Sequence, residues 1–259
     1  TGTMYIGGDW TYTQGNTING AMDIKGSITV NDDVAGNCAI TWSGSASKTM
    51  TLSTATYLPS GTFTVNGSGT LTLGSDVNLN TTGQDLVYTA GTLDLAGYNV
   101  TVNDTFSIAS GATLKMKGSE TITAGTKTYN SGMTVEYYDA AVTAVVGNFG
   151  TSLPNMKFFG GKTHNFTASG NFSSAGTWQV SGGTGKALLR STVDGTKWNL
   201  NFTGTSNLSS NVDVKNSDAS SGNQVSAIGS TNSGGNTNWD FGTLHHLYEQ
   251  AETIVFAGD

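Results

Sequence analysis

The chain of 259 residues contains one cysteine, Cys38, so no internal disulfide can staple it. Its two prolines exclude collagen and polyproline architectures. Charged side chains make up 11%, against roughly 25% in an ordinary soluble domain. The Ala, Glu, Lys and Leu richness of a coiled coil is missing. Arginine occurs at Arg190 alone, and 11 basic against 18 acidic residues leave a formal charge of −7. Such a balance repels phosphate, so no nucleic-acid partner is expected. No apolar run approaches the ~18 residues of a spanning helix, so no transmembrane segment is expected. What is present is polar and small: Gly (36 residues), Thr, Ser and Asn together make close to half the chain. That composition, poor in lysine, points to an extracellular or cell-surface location. The first residue is Thr1, with no charged and apolar leader after it, which reads as a processed chain or part of a longer one.

The dominant local pattern is strict alternation, as in Thr62-Phe63-Thr64-Val65, Thr70-Leu71-Thr72-Leu73 and Asn99-Val100-Thr101-Val102. Period two means strands with one buried face. A longer period lies above it. The apolar pair Leu71/Leu73 returns as Leu93/Leu95, Leu114/Met116, Met133/Val135, Met156/Phe158 and Trp178/Val180. A second column runs Val77/Leu79, Val100/Val102, Ile122, and a third runs Phe63/Val65, Leu86/Tyr88, Phe106/Ile108. Three strand columns per repeat of about 21–22 residues predict an all-β fold, a parallel β-helix in the form of a three-sided β-solenoid. Residues 1–242 then make about eleven coils and a rod roughly 50–55 Å long. Gly after Ser or Ala marks the corners at Ser60-Gly61, Ala90-Gly91, Ser110-Gly111 and Ala175-Gly176, where a positive φ is expected. Residues 139–175 fit the pattern least, and a loop or a change of coil shape is expected there.

The outward positions give an independent reading of the register. Between the apolar pairs of the first column sit Thr72, Asp94, Lys115, Glu136, Lys157, Gln179 and Asn201. Stacked one per coil, they form a structural ladder in which Asp94, Lys115, Glu136 and Lys157 alternate in sign. Neighbouring rungs are expected to pair, each pair contributing about 0.2–1 kcal/mol. Thr70, Thr92, Thr113 and Thr134 stack beside them as hydroxyls.

Residues 187–242 contain Ala187-Leu188-Leu189-Arg190, Val212-Asp213-Val214-Lys215-Asn216-Ser217-Asp218 and Ser230-Thr231-Asn232-Ser233-Gly234-Gly235-Asn236-Thr237-Asn238-Trp239. This segment resembles the closing part of repeat-rich secreted bacterial surface proteins. The run Gly91-Thr92-Leu93-Asp94-Leu95-Ala96-Gly97-Tyr98-Asn99-Val100 resembles their repeating unit. The resemblance covers residues 187–242 more closely than the rest of 1–242. It implies a parallel β-helix on the cell exterior, as in adhesins and filamentous-haemagglutinin-like proteins, families without transferable catalytic residues.

Little in the sequence suggests catalysis. Histidine occurs at His164, expected on a polar turn or strand edge, and at His245 and His246 in the tail. One cysteine gives no zinc spacing, and no phosphate or dinucleotide loop precedes a helix. Asp32-Asp33 and Asp213 with Asp218 sit where aspartate commonly caps turns. A polysaccharide lyase or hydrolase on a β-helix would need carboxylates converging with Arg or Lys, and the one charge column alternates instead. An ice-binding face is interrupted by the same charges. No catalytic residue, metal or cofactor is therefore expected. Residues 243–259 form a distinct C-terminal tail, in which Thr253-Ile254-Val255-Phe256 reads as a strand. It would either cap its own rod or complete a neighbouring subunit. The function expected is a non-catalytic extracellular structural rod, self-associating head to tail into a homopolymer, a surface filament or fibre. An adhesin stalk that binds surface glycans and a viral fibre are the structural alternatives.

Overall fold

A computed structural model describes residues 2–53, 58–138, 144–145 and 154–242. The chain is an all-β parallel β-solenoid of about ten turns, with no helix among the described residues. Every pairing between its strands is parallel, as a chain that winds in one direction requires.

One wall runs the length of the rod as a ten-stranded sheet, from Trp10–Tyr12 through Thr70–Leu73, Thr92–Asp94, Thr113–Met116, Thr134–Tyr137, Asn155–Gly160 and Thr177–Gly183 to Thr205–Asn207. A second wall stacks Thr3–Ile6, Ala21–Ile24, Ala39–Trp42, Phe63–Val65, Leu86–Tyr88, Val100–Ile108 and Ile122–Tyr129. The third begins with Val77–Leu79, which pairs with the first residues of Val100–Ile108. That nine-residue strand turns the corner between two walls at an irregularity between Val102 and Thr105. Beyond residue 154 the second and third walls are Asn171–Ser174, Trp198–Phe202, Ser217–Asp218, and Thr163–Phe166, Ala187–Ser191, Val212–Val214, Thr231–Asn232.

The alternation explains the walls. In Thr70–Leu73 the threonines are half-buried and Leu71 and Leu73 are buried. Register then sets Leu71 on Leu93, Leu93 on Leu114, Val135 on Met156 and Met156 on Trp178. Burying each such side chain contributes about 1.5–3 kcal/mol, and parallel stacking repeats that gain at every coil. Cys38 is one of these inward residues and is fully buried. Burial pushes its thiol pKa up, so it packs as a small apolar group.

Coil length is less uniform than the sequence period suggests. Thr3 pairs with Ala21 and Trp10 with Ile28, so the first coil falls short of that period. Thr92, Thr113 and Thr134 pair in turn and keep to it. Thr177 pairs with Thr205, which makes that coil much longer. The wide coil, and the two-residue strands after Ser217, leave about ten turns rather than eleven. The ten-stranded wall is about 45 Å long at ~4.8 Å per strand.

The corner glycines divide into two kinds. Gly91 and Gly111 have φ of 77° and 82°, the left-handed conformation expected of them. Gly61 and Gly176 do not. A Cβ at these two positions would run into the backbone carbonyls of Cys38 and Pro154 one coil below. Glycine is needed there because two main chains approach closely, and any larger residue is excluded.

Candidate functional surfaces

The ladder residues lie on the outer face of the ten-stranded wall. Thr72 pairs with Asp94, Asp94 with Lys115, Lys115 with Glu136, Glu136 with Lys157 and Lys157 with Gln179. The next rung is Asn207, not Asn201. Asn201 lies in Trp198–Phe202, on a different wall, where it pairs with Ser173. The wide coil inserts a longer turn between the two walls, so one sequence period counted from Gln179 stops one wall short. Thr70, Thr92, Thr113 and Thr134 are in register beside the charges.

The charges in the ladder do not neutralise each other. No ion pair joins Asp94, Lys115, Glu136 and Lys157 among the described residues. Lys115 instead places its ammonium 4.3 Å from the centre of the Tyr138 ring. Asp94 is covered, only 9% exposed, and its Oδ1 accepts the Ala96 N–H at 3.0 Å. Exposed ion pairs are weak enough in water for a backbone donor or a ring to outcompete them.

Other carboxylates act mostly on backbone. Asp32 accepts the N–H groups of Gly15 and Asp33 at 2.8 and 2.9 Å, a turn role as expected. Asp213 differs: it lies in the strand Val212–Val214 and pairs with Arg190 at 2.9 Å, the two side chains 18% and 21% exposed. Ser233 Oγ, one coil further on, donates to the same carboxylate at 2.6 Å. Nearby, Lys215 reaches Asp194 at 2.7 Å and Lys197 reaches Asp218 at 3.8 Å. Hydrogen bonds from Lys215 and Asn216 hold the Asp194 carboxyl below its ordinary range, and Ser220 does the same for Asp218. These contacts tie three successive coils together.

His164 is not on a polar turn or exposed edge. It faces inward from Thr163–Phe166 and is 1% exposed. Its ring lies 5.2 Å from that of Phe158 and 5.9 Å from that of Tyr137. Nε2 donates to the Phe159 carbonyl at 3.0 Å, and Nδ1 has no partner among the described residues. Burial pushes its pKa down, so the ring is neutral in the folded rod. His245, His246 and the expected strand Thr253, Ile254, Val255 and Phe256 lie outside the described residues. No group of three or more His, Cys, Asp and Glu that could hold a metal occurs among the described residues.

The feature that sequence reading did not single out is the N-terminal end. Thr3–Ile6 and Trp10–Tyr12 are the first strands of their walls, each with a partner on one side only among the described residues. Met4 stacks on Met22 and Trp10 on Ile28, so both occupy inward columns. Met22 and Ile28 are buried, yet Met4 is 53% exposed and Trp10 is half-buried. Among the described residues, nothing covers Met4 and Trp10 as Met22 and Ile28 are covered. The available signal was the apolar content of the first coil, in Met4, Ile6, Trp10 and Tyr12.

No protein-family model matches the chain, and comparison with curated proteins and with solved structures finds no match. The architecture is compatible with β-helix repeat proteins.

Proposed function

We propose that the protein is a non-catalytic structural rod that assembles head to tail into an extracellular filament or fibre. The carrying observation is the stacking of about ten parallel turns along one axis, so that a strand added at an end continues the same walls. Strand edges at the end of such a stack are either covered or used. A contact between unlike ends is heterologous, and repeated it builds an open filament.

Negative-stain electron microscopy of the whole chain tests this, beside a Tyr5→Pro variant and a chain ending at Gly242. Filaments are expected in the first sample, and short rods in the Tyr5→Pro sample, because proline removes an edge donor and blocks strand addition. Filaments lost on truncation would put the joint in residues 243–259 of the preceding copy, where the sequence leads us to expect a strand at Thr253–Phe256; filaments kept would put it in the coils. Isolated rods of about 45 Å in every sample, at any concentration, would overturn the reading.

A further inference from the structure

Large apolar side chains exposed on the described residues are few. Met4 and Tyr5 belong to the first coil, and Val193 lies on a turn. Tyr98 is the one on the lateral surface, 38% exposed. It stands at the side of an open cleft of about 300 Å³ formed across three coils by Leu52, Ser53, Gly74, Ser75, Asp76, Asn78 and Tyr98.

Tyr98 is held in place by an arrangement too costly for a casual turn. Ala96 has φ of 53°, a left-handed conformation that a residue with a Cβ adopts at a cost, and Gly97 follows at 97°. Two carboxylates, each 9% exposed, fix this turn. Asp94 accepts the Ala96 N–H at 3.0 Å, and Glu120 Oε1 accepts the Gly97 N–H at 2.9 Å. Glu120 is itself anchored by the N–H groups of Lys117 and Gly118 at 2.7 and 2.6 Å. The Tyr98 N–H closes the turn on the Leu95 carbonyl at 2.8 Å. The ring therefore projects from a rigid base rather than a loose loop.

The coil below Tyr98 lines the same cleft with hydrogen-bonding groups that have spare capacity. Asp76 Oδ1 accepts the Asn99 N–H at 2.8 Å, while its Oδ2 has no partner among the described residues. The exposed Asn78 amide, one outward position along on Val77–Leu79, likewise has none. Ser75 is occupied, accepting from the Leu52 N–H at 2.7 Å. An aromatic ring lining one cleft with a carboxylate and an amide has the chemistry of a sugar-ring site. The ring packs on the apolar C–H face, the carboxylate accepts from one hydroxyl, and the amide donates to or accepts from its neighbour. A net charge of −7 and the Asp76 carboxylate disfavour an acidic sugar.

We propose that the cleft lined by Tyr98 and Asp76 binds one pyranose ring of a neutral hexose glycan. This goes beyond the structural role and does not depend on it, since the cleft lies on the side of the rod and not at its ends. One ring stack and two or three hydrogen bonds give weak affinity, about 1 mM for a single site, which a polymer would raise by presenting many copies.

Saturation-transfer difference NMR on the whole chain, with maltose, cellobiose and lactose as neutral probes and digalacturonate as the acidic one, decides it. Transfer to the ring C–H protons of at least one neutral disaccharide is expected. Tyr98→Ala should abolish it and Asn78→Ala should weaken binding about tenfold; Tyr98→Phe should retain it. Thermal melting of Tyr98→Ala should stay unchanged, because the ring covers little of the core. Absence of transfer from all three neutral probes, transfer that survives Tyr98→Ala, or stronger transfer to digalacturonate would each overturn the proposal. None of these results depends on whether the chain forms filaments.

Discussion

Residues 2–138 and 154–242 build the same solenoid with different materials. The first region lacks the wide coil between Thr177 and Thr205, and its core is mainly aliphatic, with Leu71, Leu93 and Leu114 stacked in line. The second holds a cluster of rings. Phe166 and Trp198 stack at 3.9 Å and 9°, and Trp178 lies nearly parallel to Trp198 at 6.4 Å. Phe158, Phe172, Phe202 and Trp239 pack around them. Coil width accompanies the change. Thr177 pairs with Thr205 and Asn171 with Asn199, a longer circuit than that from Thr92 to Thr113. A longer circuit encloses a broader cross-section, and rings fill it without leaving voids. The broader coils are also the ones tied by Arg190–Asp213, Lys215–Asp194 and Lys197–Asp218. A solenoid can therefore widen, provided that both filling and lateral ties change with it.

Cutting the ring cluster should break that comparison most clearly. Trp198→Ala removes a fully buried ring at the centre of the cluster and should cost about 3–5 kcal/mol. Stability in a repeat fold is summed over neighbouring coils. Hydrogen exchange should therefore show protection lost across residues 154–242 and retained across 63–138. Uniform loss over both regions would mean that they unfold as one unit.

The lateral ties give a smaller effect. Arg190→Met leaves the half-buried Asp213 with Ser233 alone and should cost about 1–3 kcal/mol by urea denaturation. Lys48→Met breaks the exposed Lys48–Asp9 pair of the first region and should leave the midpoint unchanged. Equal losses would show that the two regions rely on ion pairs alike.

Acid should also separate the regions. The folded pKa of His164 is pushed below its ordinary 6.5 by burial, so the unfolded chain binds the proton more readily. Its contribution is present above about pH 6.5 and declines as pH falls below that value. Exchange protection around Thr163–Phe166 should drop as pH falls below about 6.5, and His164→Phe should remove the drop. The carboxylates Asp194 and Asp218 act lower on the scale: depressed in the fold, they stabilise above their ordinary 3.8 and lose that contribution only below it.

The legible part of the molecule is the part governed by alternation. Thr72 to Gln179 could be placed rung by rung because every coil between them keeps the sequence period. Asn201 was misplaced where the wide coil from Thr177 to Thr205 intervenes, since nothing in local alternation records how wide a turn is. The burial of His164 against Tyr137 and Phe158 had a local trace, the alternation of His164 with Phe166, but the polar neighbours Lys162, Thr163 and Asn165 masked it. Asp94 is an outward position, as expected, and its burial depends on a turn made by Ala96 and Gly97. Glu120, which completes that turn, is distant from Gly97 along the chain and adjacent to it in space, one coil on.

The sequence by itself determined the solenoid, its three walls and the direction of most side chains. Those follow from periods of two and about twenty-one, and a strand pattern needs only its own residues and the coil next to it. The tertiary structure decided coil width, the partners of the charges, the neutral state of His164 and the exposure of Met4, Trp10 and Tyr98. Each of these depends on which atoms from several coils meet, or fail to meet, around one side chain, and no window along the chain contains them all.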